Sequence, residues 1–313
     1  MKMKTDTKNK QSLSQTIKVD FIRNKALYLM ILPAVIYYIV FHYIPMYGVI
    51  ISFKDFKPQL GMLESSWVGL KHFRTFFESP SFLSILGNTF RLSLSSLIFG
   101  FPAPIILALL LNELHKEKFA KIVQNFTYMP HFISTVIICG MVHTFTREDG
   151  LIVYIMSLFG FEPKSLLNFP KYFTTIYVAS GIWQTIGWSS IIYLAALTGV
   201  DTQLYEAAEL DGANRWKQVI HITIPSIMPT IIIMLILKVG QILNVGFEKI
   251  ILLYNSSTMS VADVISTYSY RKGLIELNWS FSAAVGLFNS VVNFIFVISM
   301  NKVSQKMGET SLW

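Results

Sequence analysis

The stretch Tyr205–Pro229, YEAAELDGANRWKQVIHITIPSIMP, is a detailed polar segment in a chain that is otherwise mostly apolar. Asp201, just before it, can cap a short helix, and Gly212 can supply the positive φ that ends this helix. Pro225 then opens the next apolar run at a first-turn position, where no amide proton is needed. The pattern predicts a helix–turn–helix that presents a smooth knob to a partner protein.

The composition indicates an integral membrane protein. Of 313 residues, 53% are hydrophobic and only 14% are charged, which leaves too little polar surface to close a soluble globule. The net charge of +8 comes from cations that cluster beside apolar runs, a pattern typical of membrane surfaces rather than of nucleic-acid binding. The single cysteine, Cys139, lies in an apolar run, where a small buried thiol is expected.

Six apolar runs predict an all-α membrane protein with six transmembrane helices. Residues 1–26 form a basic tail with seven cations, and this flank places both termini and the loop 201–224 in the cytosol. Pro102 and Pro104 should kink the second span. The membrane domain is expected to cover residues 27–313, with spans at about 27–51, 88–111, 129–145, 172–197, 224–245 and 281–300.

A family resemblance is carried by the same polar loop. Glu206-Ala207-Ala208, Gly212 and Ile222-Thr223-Ile224-Pro225 resemble the EAA loop of bacterial ABC-importer permeases, which usually has Leu where Ile224 stands. Further stretches make the chain similar to the first of two unlike permeases in carbohydrate importers, the maltose- and alginate-like oligosaccharide or polysaccharide branch. These stretches are YLMILPAVIYYIVFHYIPMYGVIISFKDF, WVGLKHF, GFPAPIILALLLNE and LNVGFEKIILLYNSSTMSVADVISTYSYRKGL.

The resemblance implies a type I ABC-importer permease fold in the bacterial inner membrane, with the chain crossing it several times. It also implies three kinds of partner: a second, unlike permease, two cytosolic ATPase subunits that bind ATP and Mg²⁺, and an extracytoplasmic solute-binding protein. The chain itself contains no Gly-Lys dipeptide and hence no phosphate-binding P-loop, so we expect no enzyme activity and no bound cofactor. By the resemblance, the residues that couple the chain to the ATPase are Glu206, Ala207, Ala208, Asp211, Gly212, Trp216 and Pro225.

Polar residues inside the spans predict the substrate path. Lys238 lies thirteen residues beyond Pro225, or about 20 Å into the hydrocarbon layer, where a charge should face water or a partner anion. A uronic-acid carboxylate would suit this lysine, so the cargo is expected to be an oligosaccharide, with an acidic one as the sharper hypothesis. Interhelical packing, snorkelling, or pairing of Lys238 with a carboxylate of the second permease are the alternatives. The candidate residues are Lys238, Gln241, Asn244, Asn289, Asn293, Trp183, Gln184 and Trp188.

The outer segments 52–87 and 247–280 are too long and too polar to be plain connections. We expect parts of them, with Trp67 and Trp279, to form the dock for the solute-binding protein. Folding of these segments onto the permease itself is the competing explanation.

Three other functions compete with this interpretation. The importer could take a neutral sugar or another small polar solute, or the chain could be a passive six-span channel. Gly187-Trp188-Ser189-Ser190 also fits the G-x-S-x pattern of an intramembrane serine protease, but His143 would be a base in the wrong chain order. The six histidines are dispersed, so no metal site is predicted.

Overall fold

The computed structural model describes residues 20–114, 116–306 and 311–312, so most of the predicted tail 1–26 lies outside the described residues. Within them, the regular structure is helical except for two short antiparallel strands, in which Lys54 lies opposite Trp67. The strands are β1 (Lys54–Asp55) and β2 (Ser66–Trp67).

The helices of the first half lie on both sides of these strands in the sequence. They are α1 (Lys25–Tyr38), α2 (Ile44–Met46), α3 (Gly61–Glu64), α4 (Lys71–Phe77), α5 (Phe82–Gly100), α6 (Pro102–Asn112), α7 (Glu117–Tyr128), α8 (Thr135–Thr146) and α9 (Leu151–Leu158). The helices of the second half are α10 (Pro170–Leu197), α11 (Thr202–Leu210), α12 (Arg215–Gln218), α13 (Ile224–Val239), α14 (Phe247–Leu253), α15 (Met259–Ala262), α16 (Ile265–Tyr270) and α17 (Trp279–Lys306).

Four helical stretches of the described chain are long and apolar enough to cross a membrane: Lys25–Phe53, Phe82–Asn112, Arg215–Val239 and Trp279–Lys306. A fifth crossing arises if the bent pair Glu117–Phe132 and Thr135–Leu158 is counted as one span. Helix α10 is also 28 residues long, but serines, threonines and a glutamine make it less apolar. The fold is that of an all-α membrane protein, and the count of six spans stays a prediction.

The second span divides where the sequence places its prolines. Helix α5 ends at Gly100 and α6 begins at Pro102, with Phe101 between them. Because proline lacks the amide proton that an α-helix requires, it fits best in a first turn.

The third span differs from the predicted straight helix over 129–145. Residues Met129–Phe132 form a 3₁₀ turn that follows α7, and the chain then bends by 101° before α8 begins at Thr135. Ser134 caps α8 by accepting a hydrogen bond from the Ile137 amide. The missing amide of Pro130 favours this break, which apolar content alone does not reveal.

The fifth span begins earlier than predicted, because the helix runs without a break from Arg215 to Val239. A π-helical turn, Val219–Thr223, lies two residues before Pro225. The same arrangement occurs in the first span, where the π-helical turn Ile39–Tyr43 lies two residues before Pro45. Each wider turn accommodates a residue without an amide proton, so proline does not end the helix.

Much of the outer segment 247–280 folds onto the permease itself, the competing explanation given above, as short helices that complete the core. Ile250, Leu253 and Val264 are fully buried in a cluster with Ile138 of α8 and Phe173 of α10. Apolar side chains three residues apart give α14 a buried face, so packing energy rather than connectivity decides its conformation.

The remaining outer elements pack on α17. Phe76 of α4 is buried and contacts the rings of Phe82, Phe281 and Phe288. By contrast, no residue of α1 is buried against the rest of the chain. This apolar helix therefore has its surface free for lipid or another subunit.

Candidate functional site

A cavity of about 380 Å³ with several polar groups in its lining lies between α5, α6, α10, α13 and α14. It contains two lysines, Lys238 and Lys249, which reach it from different helices. The other lining residues are Ser96, Gly100, Phe101, Pro104, Tyr177, Val178, Gly181, Ile182, Gln184, Thr185, Ser189, Tyr193 and Met234. Hydroxyls, an amide, aromatic rings and two cations thus face one space, a combination suited to a hydrated polar ligand.

Lys238 lies in the last turn of α13 and is exposed to the cavity. Its ammonium group has no hydrogen-bond or ion-pair partner among the described residues. A second cavity of about 300 Å³ shares Lys238, Ser96 and Tyr177 with the first. Lys238 therefore stands where the two cavities meet.

The second cavity contains two of the predicted amides, Gln241 and Asn244, which are both exposed. Behind them, Asn289 and Asn293 donate hydrogen bonds to Asn244 Oδ1 at 2.7 and 3.1 Å. Asn293 also accepts a bond of 3.0 Å from the Leu243 amide. The structure thus brings these predicted residues together, but the two asparagines of α17 hold the turn that follows α13 and line neither cavity.

The three predicted residues of the fourth span lie in different surroundings. Gln184 lines the cavity that contains Lys238 and Lys249, and it donates to the Ile133 carbonyl at 3.4 Å. Trp183 instead lines an apolar cavity of about 530 Å³ between α8, α9 and α10. Trp188 stacks on His131 at 4.5 Å between ring centroids. Neither Trp183 nor Trp188 lines the cavity that contains Lys238 and Lys249.

Lys249 was not predicted as a site residue, because it lies in a segment taken for a loop. It belongs to α14, is only 7% exposed, and donates to the Tyr177 carbonyl at 3.0 Å. The available signal was the sequence FEKIILL, in which one lysine lies within a short apolar run. A cation in such surroundings is normally turned toward a polar space.

The predicted helix–turn–helix is present, as α11 followed by α12. Asp201 accepts a hydrogen bond of 2.9 Å from the Gln203 amide, and Gly212 has φ +76°. Asn214 caps the second helix by accepting from the Lys217 amide at 3.0 Å. The local signals of the sequence therefore determine this hairpin.

The predicted coupling residues lie on the free surface of the hairpin. Glu206, Ala207, Asp211 and Gly212 are exposed, and Trp216 is 76% exposed. Ala208 is half-buried, and Pro225 lies within the continuous helix below rather than on the hairpin. An exposed indole beside small residues is an unpaired contact surface in the isolated chain.

Two contacts join the hairpin to the membrane domain. The Tyr205 hydroxyl lies 2.9 Å from the Thr223 hydroxyl, and Arg215 forms an ion pair of 2.9 Å with Glu113 at the end of the second span. The hairpin is also continuous with α13, so it is connected to both the second and the fifth span.

The segment Gly187-Trp188-Ser189-Ser190 takes part in the packing of α10 against α7. A Cβ atom on Gly187 would overlap the Thr127 carbonyl group of α7, so the two helices cross in close contact there. The buried Ser190 hydroxyl donates to the Gly187 carbonyl at 2.6 Å. His143 bonds to the Leu252 carbonyl at 2.9 Å, so the structure does not assemble a serine–histidine pair from these residues. The described residues also contain no group of potential metal ligands.

Comparison with known proteins gives consistent matches along most of the chain. The family model for the binding-protein-dependent transport system inner membrane component matches residues 92–309. The polygalacturonan/rhamnogalacturonan transport system permease protein YteP of Bacillus subtilis (strain 168) is 44% identical over 305 residues, covering 97% of this chain and 95% of that protein. Protein LplB of the same strain is 44% identical over 93% of this chain and 92% of its own length.

A solved structure extends the match to the fold. A chain of a bacterial alginate ABC transporter, in complex with an alginate pentasaccharide-bound periplasmic protein, superposes with a TM-score of 0.86 at 42% identity. The match covers 94% of this chain and 98% of that one.

Proposed function

This chain belongs to the family of binding-protein-dependent transport system inner membrane components, and from that membership we propose that it carries an acidic oligosaccharide across the membrane. It is a multi-pass membrane permease of an ABC importer, similar to permeases for polygalacturonan or rhamnogalacturonan and for alginate. The observation that carries the proposal is the cavity shared by Lys238 and Lys249. No carboxylate lies within ion-pair distance of either lysine in the described chain.

Two uncompensated cations at membrane depth are costly unless water or an anion satisfies them. Repeated carboxylates along an acidic oligosaccharide would satisfy them in succession, while Gln241 and Gln184 could hold hydroxyl groups. Weak contacts of several kinds suit a substrate that must leave as well as enter.

The test uses the complete importer in proteoliposomes, with its binding protein and ATPases. We expect ATP-dependent uptake of a labelled oligouronide, and slower uptake by Lys238→Met and Lys238→Glu than by the unchanged complex. In the same two variants, the uptake rate of a carboxyl-reduced analogue should fall much less. Equal losses for both sugars would show that Lys238 is structural, and uptake without ATP would favour the passive channel. Faster uptake of the neutral analogue by the unchanged complex would favour an importer of neutral sugars.

We also propose that the α11–α12 hairpin couples the permease to a cytosolic ATPase that binds ATP and Mg²⁺. Glu206 is exposed and belongs to none of the ion pairs of the described chain, so its charge is available to a partner. If it pairs with a cation in the ATPase groove, its removal leaves an unmatched charge and weakens the contact by about 2–5 kcal/mol. Normal stimulation of ATP hydrolysis by loaded binding protein in Glu206→Ala would contradict this role.

The solute-binding protein is proposed to dock on the outer surface that remains after the core has formed. The turn that follows α16 exposes Leu274, Ile275 and Leu277, each at least 61% exposed. This turn is supported by a bidentate ion pair in which Arg271 donates to Asp263, and this hydrogen bonding raises the pKa of Arg271 above its usual range. Cross-links from position 277 that capture only permease residues, with binding protein in excess, would count against the dock.

The second, unlike permease is proposed to cover α1. This helix is apolar throughout, and none of its residues is buried within the chain. Cysteine cross-linking from the exposed face of α1 should therefore capture a different polypeptide of similar size. Capture of lipid probes alone would assign the face to the bilayer.

A further inference from the structure

We propose that Lys249, rather than Lys238 alone, selects the carboxylate group of the substrate in the cavity. This inference rests on the proposed function, since it names the group that reads the acidic cargo. It begins from the unusual position of Lys249, which is 7% exposed and lines the same cavity as Lys238 of α13.

The ammonium group of Lys249 is fixed but incompletely satisfied. Its Nζ atom donates to the Tyr177 carbonyl at 3.0 Å and lies 5.1 Å from the centroid of the Tyr177 ring. A lysine has three N–H donors, and this carbonyl is the one hydrogen-bond acceptor that it meets in the described chain. Two donors therefore remain for whatever enters the cavity, and no carboxylate of the described chain forms an ion pair with this lysine.

The cavity wall formed by α10 leaves room for the Lys249 side chain at Gly181. Gly181 of α10 lies so close that an added Cβ atom would be 3.2 Å from Lys249 Nζ. This spacing is tighter than ordinary van der Waals contact, so a Cβ atom here would shift the ammonium group by a few tenths of an ångström. The glycine thus allows Lys249 to reach the Tyr177 carbonyl and remain at the cavity surface.

The two lysines differ in the freedom of their side chains. Lys238 is exposed and can adopt many conformations, so it attracts anions without fixing their position. Lys249 is held by burial and by a hydrogen bond, so it loses little entropy when a carboxylate binds. A preorganised cation distinguishes a carboxylate from a hydroxymethyl group more sharply than a mobile one.

The decisive variant is Lys249→Gln, because glutamine keeps a polar N–H donor at this position but carries no charge. Binding protein loaded with an oligouronide or with its carboxyl-reduced analogue is presented to the reconstituted importer, and uptake is measured. Removal of a charge-assisted hydrogen bond should weaken apparent affinity for the oligouronide by about ten- to a hundredfold, and for the analogue by less than about threefold.

Two further variants separate selection from folding. Lys171→Gln removes an exposed lysine outside the cavity and should leave the ratio of the two uptake rates unchanged. Gly181→Ala keeps the lysine but displaces it, and should lower the preference for the oligouronide in the same direction as Lys249→Gln. If the importer with Lys249→Gln does not assemble, the preference of Gly181→Ala for the oligouronide tests the inference.

The outcomes distinguish this inference from the proposed function. If the unchanged importer takes up no oligouronide, the proposed function fails. If it prefers the oligouronide and Lys249→Gln keeps that preference, Lys249 does not select the carboxylate. Equal losses for both sugars would assign Lys249 a structural role.

Discussion

Substitution of Gly187 by alanine should separate two helices of the membrane domain. A Cβ atom at this position would lie 2.8 Å from the Tyr128 amide nitrogen and closer still to the Thr127 carbonyl group. Ordinary contacts need about 3.5 Å, so α7 and α10 must move apart by about 1 Å. Overpacking of this kind costs about 1–3 kcal/mol.

The assay is thermal unfolding of the purified importer in one detergent. The folded fraction that remains after heating is measured by size-exclusion chromatography. For a chain of 313 residues, the expected cost corresponds to a midpoint lower by about 2–5 °C. Gly140→Ala is the matched control, because this glycine also lies inside a helix but has no atom within 4 Å of its potential Cβ. That change should be neutral, or should stabilise by up to about 1 kcal/mol through helix propensity.

The comparison of the two alanine variants decides whether the close crossing exists. A midpoint for Gly187→Ala equal to or above that of Gly140→Ala would refute the reasoning. It would also reopen the question of what this glycine does in the sequence Gly187-Trp188-Ser189-Ser190.

Three other changes test the hairpin and the core. Gly212→Val places a β-branched residue at φ +76°, so strain of about 1–3 kcal/mol should lower co-purification of the ATPase several-fold, and full retention would contradict this. The exposed ion pair between Arg215 and Glu113 should give a coupling energy below about 1 kcal/mol in a double-mutant cycle of unfolding, and a larger value would mean that the pair is shielded from water. The Cys139 thiol, 2% exposed, should react with a maleimide only after denaturation, and rapid labelling of the folded protein would disagree with its burial.

The sequence predicts the hairpin well because its signals are local. A cap at Asp201 and a left-handed glycine at Gly212 act within a few residues, whatever surrounds them. The family was likewise evident from matched residues along the chain, and the comparisons confirm it.

The cavity could not be predicted from the sequence in the same way, because it depends on contacts between residues that are distant in the chain. Lys249 and Tyr177 are 72 residues apart, and neither position is unusual in its own segment. The helices of 247–280 were missed for a related reason. Their conformation follows from burial against α5, α8 and α10, which periodicity in a short window does not encode.

The π-helical turn Val219–Thr223 sets the rotational phase between the two ends of one long helix. Trp216 lies before this turn and Lys238 after it, within the unbroken stretch Arg215–Val239. Because a π-helical turn holds one residue more than an α-helical turn, deleting one residue here would restore the α-helix and leave Lys238 nearly in phase with the hairpin. Deleting one residue from the α-helical stretch between this turn and Lys238 would instead rotate Lys238 by about 100° and remove it from the cavity. The helix can therefore lose a residue at this turn but not beyond it.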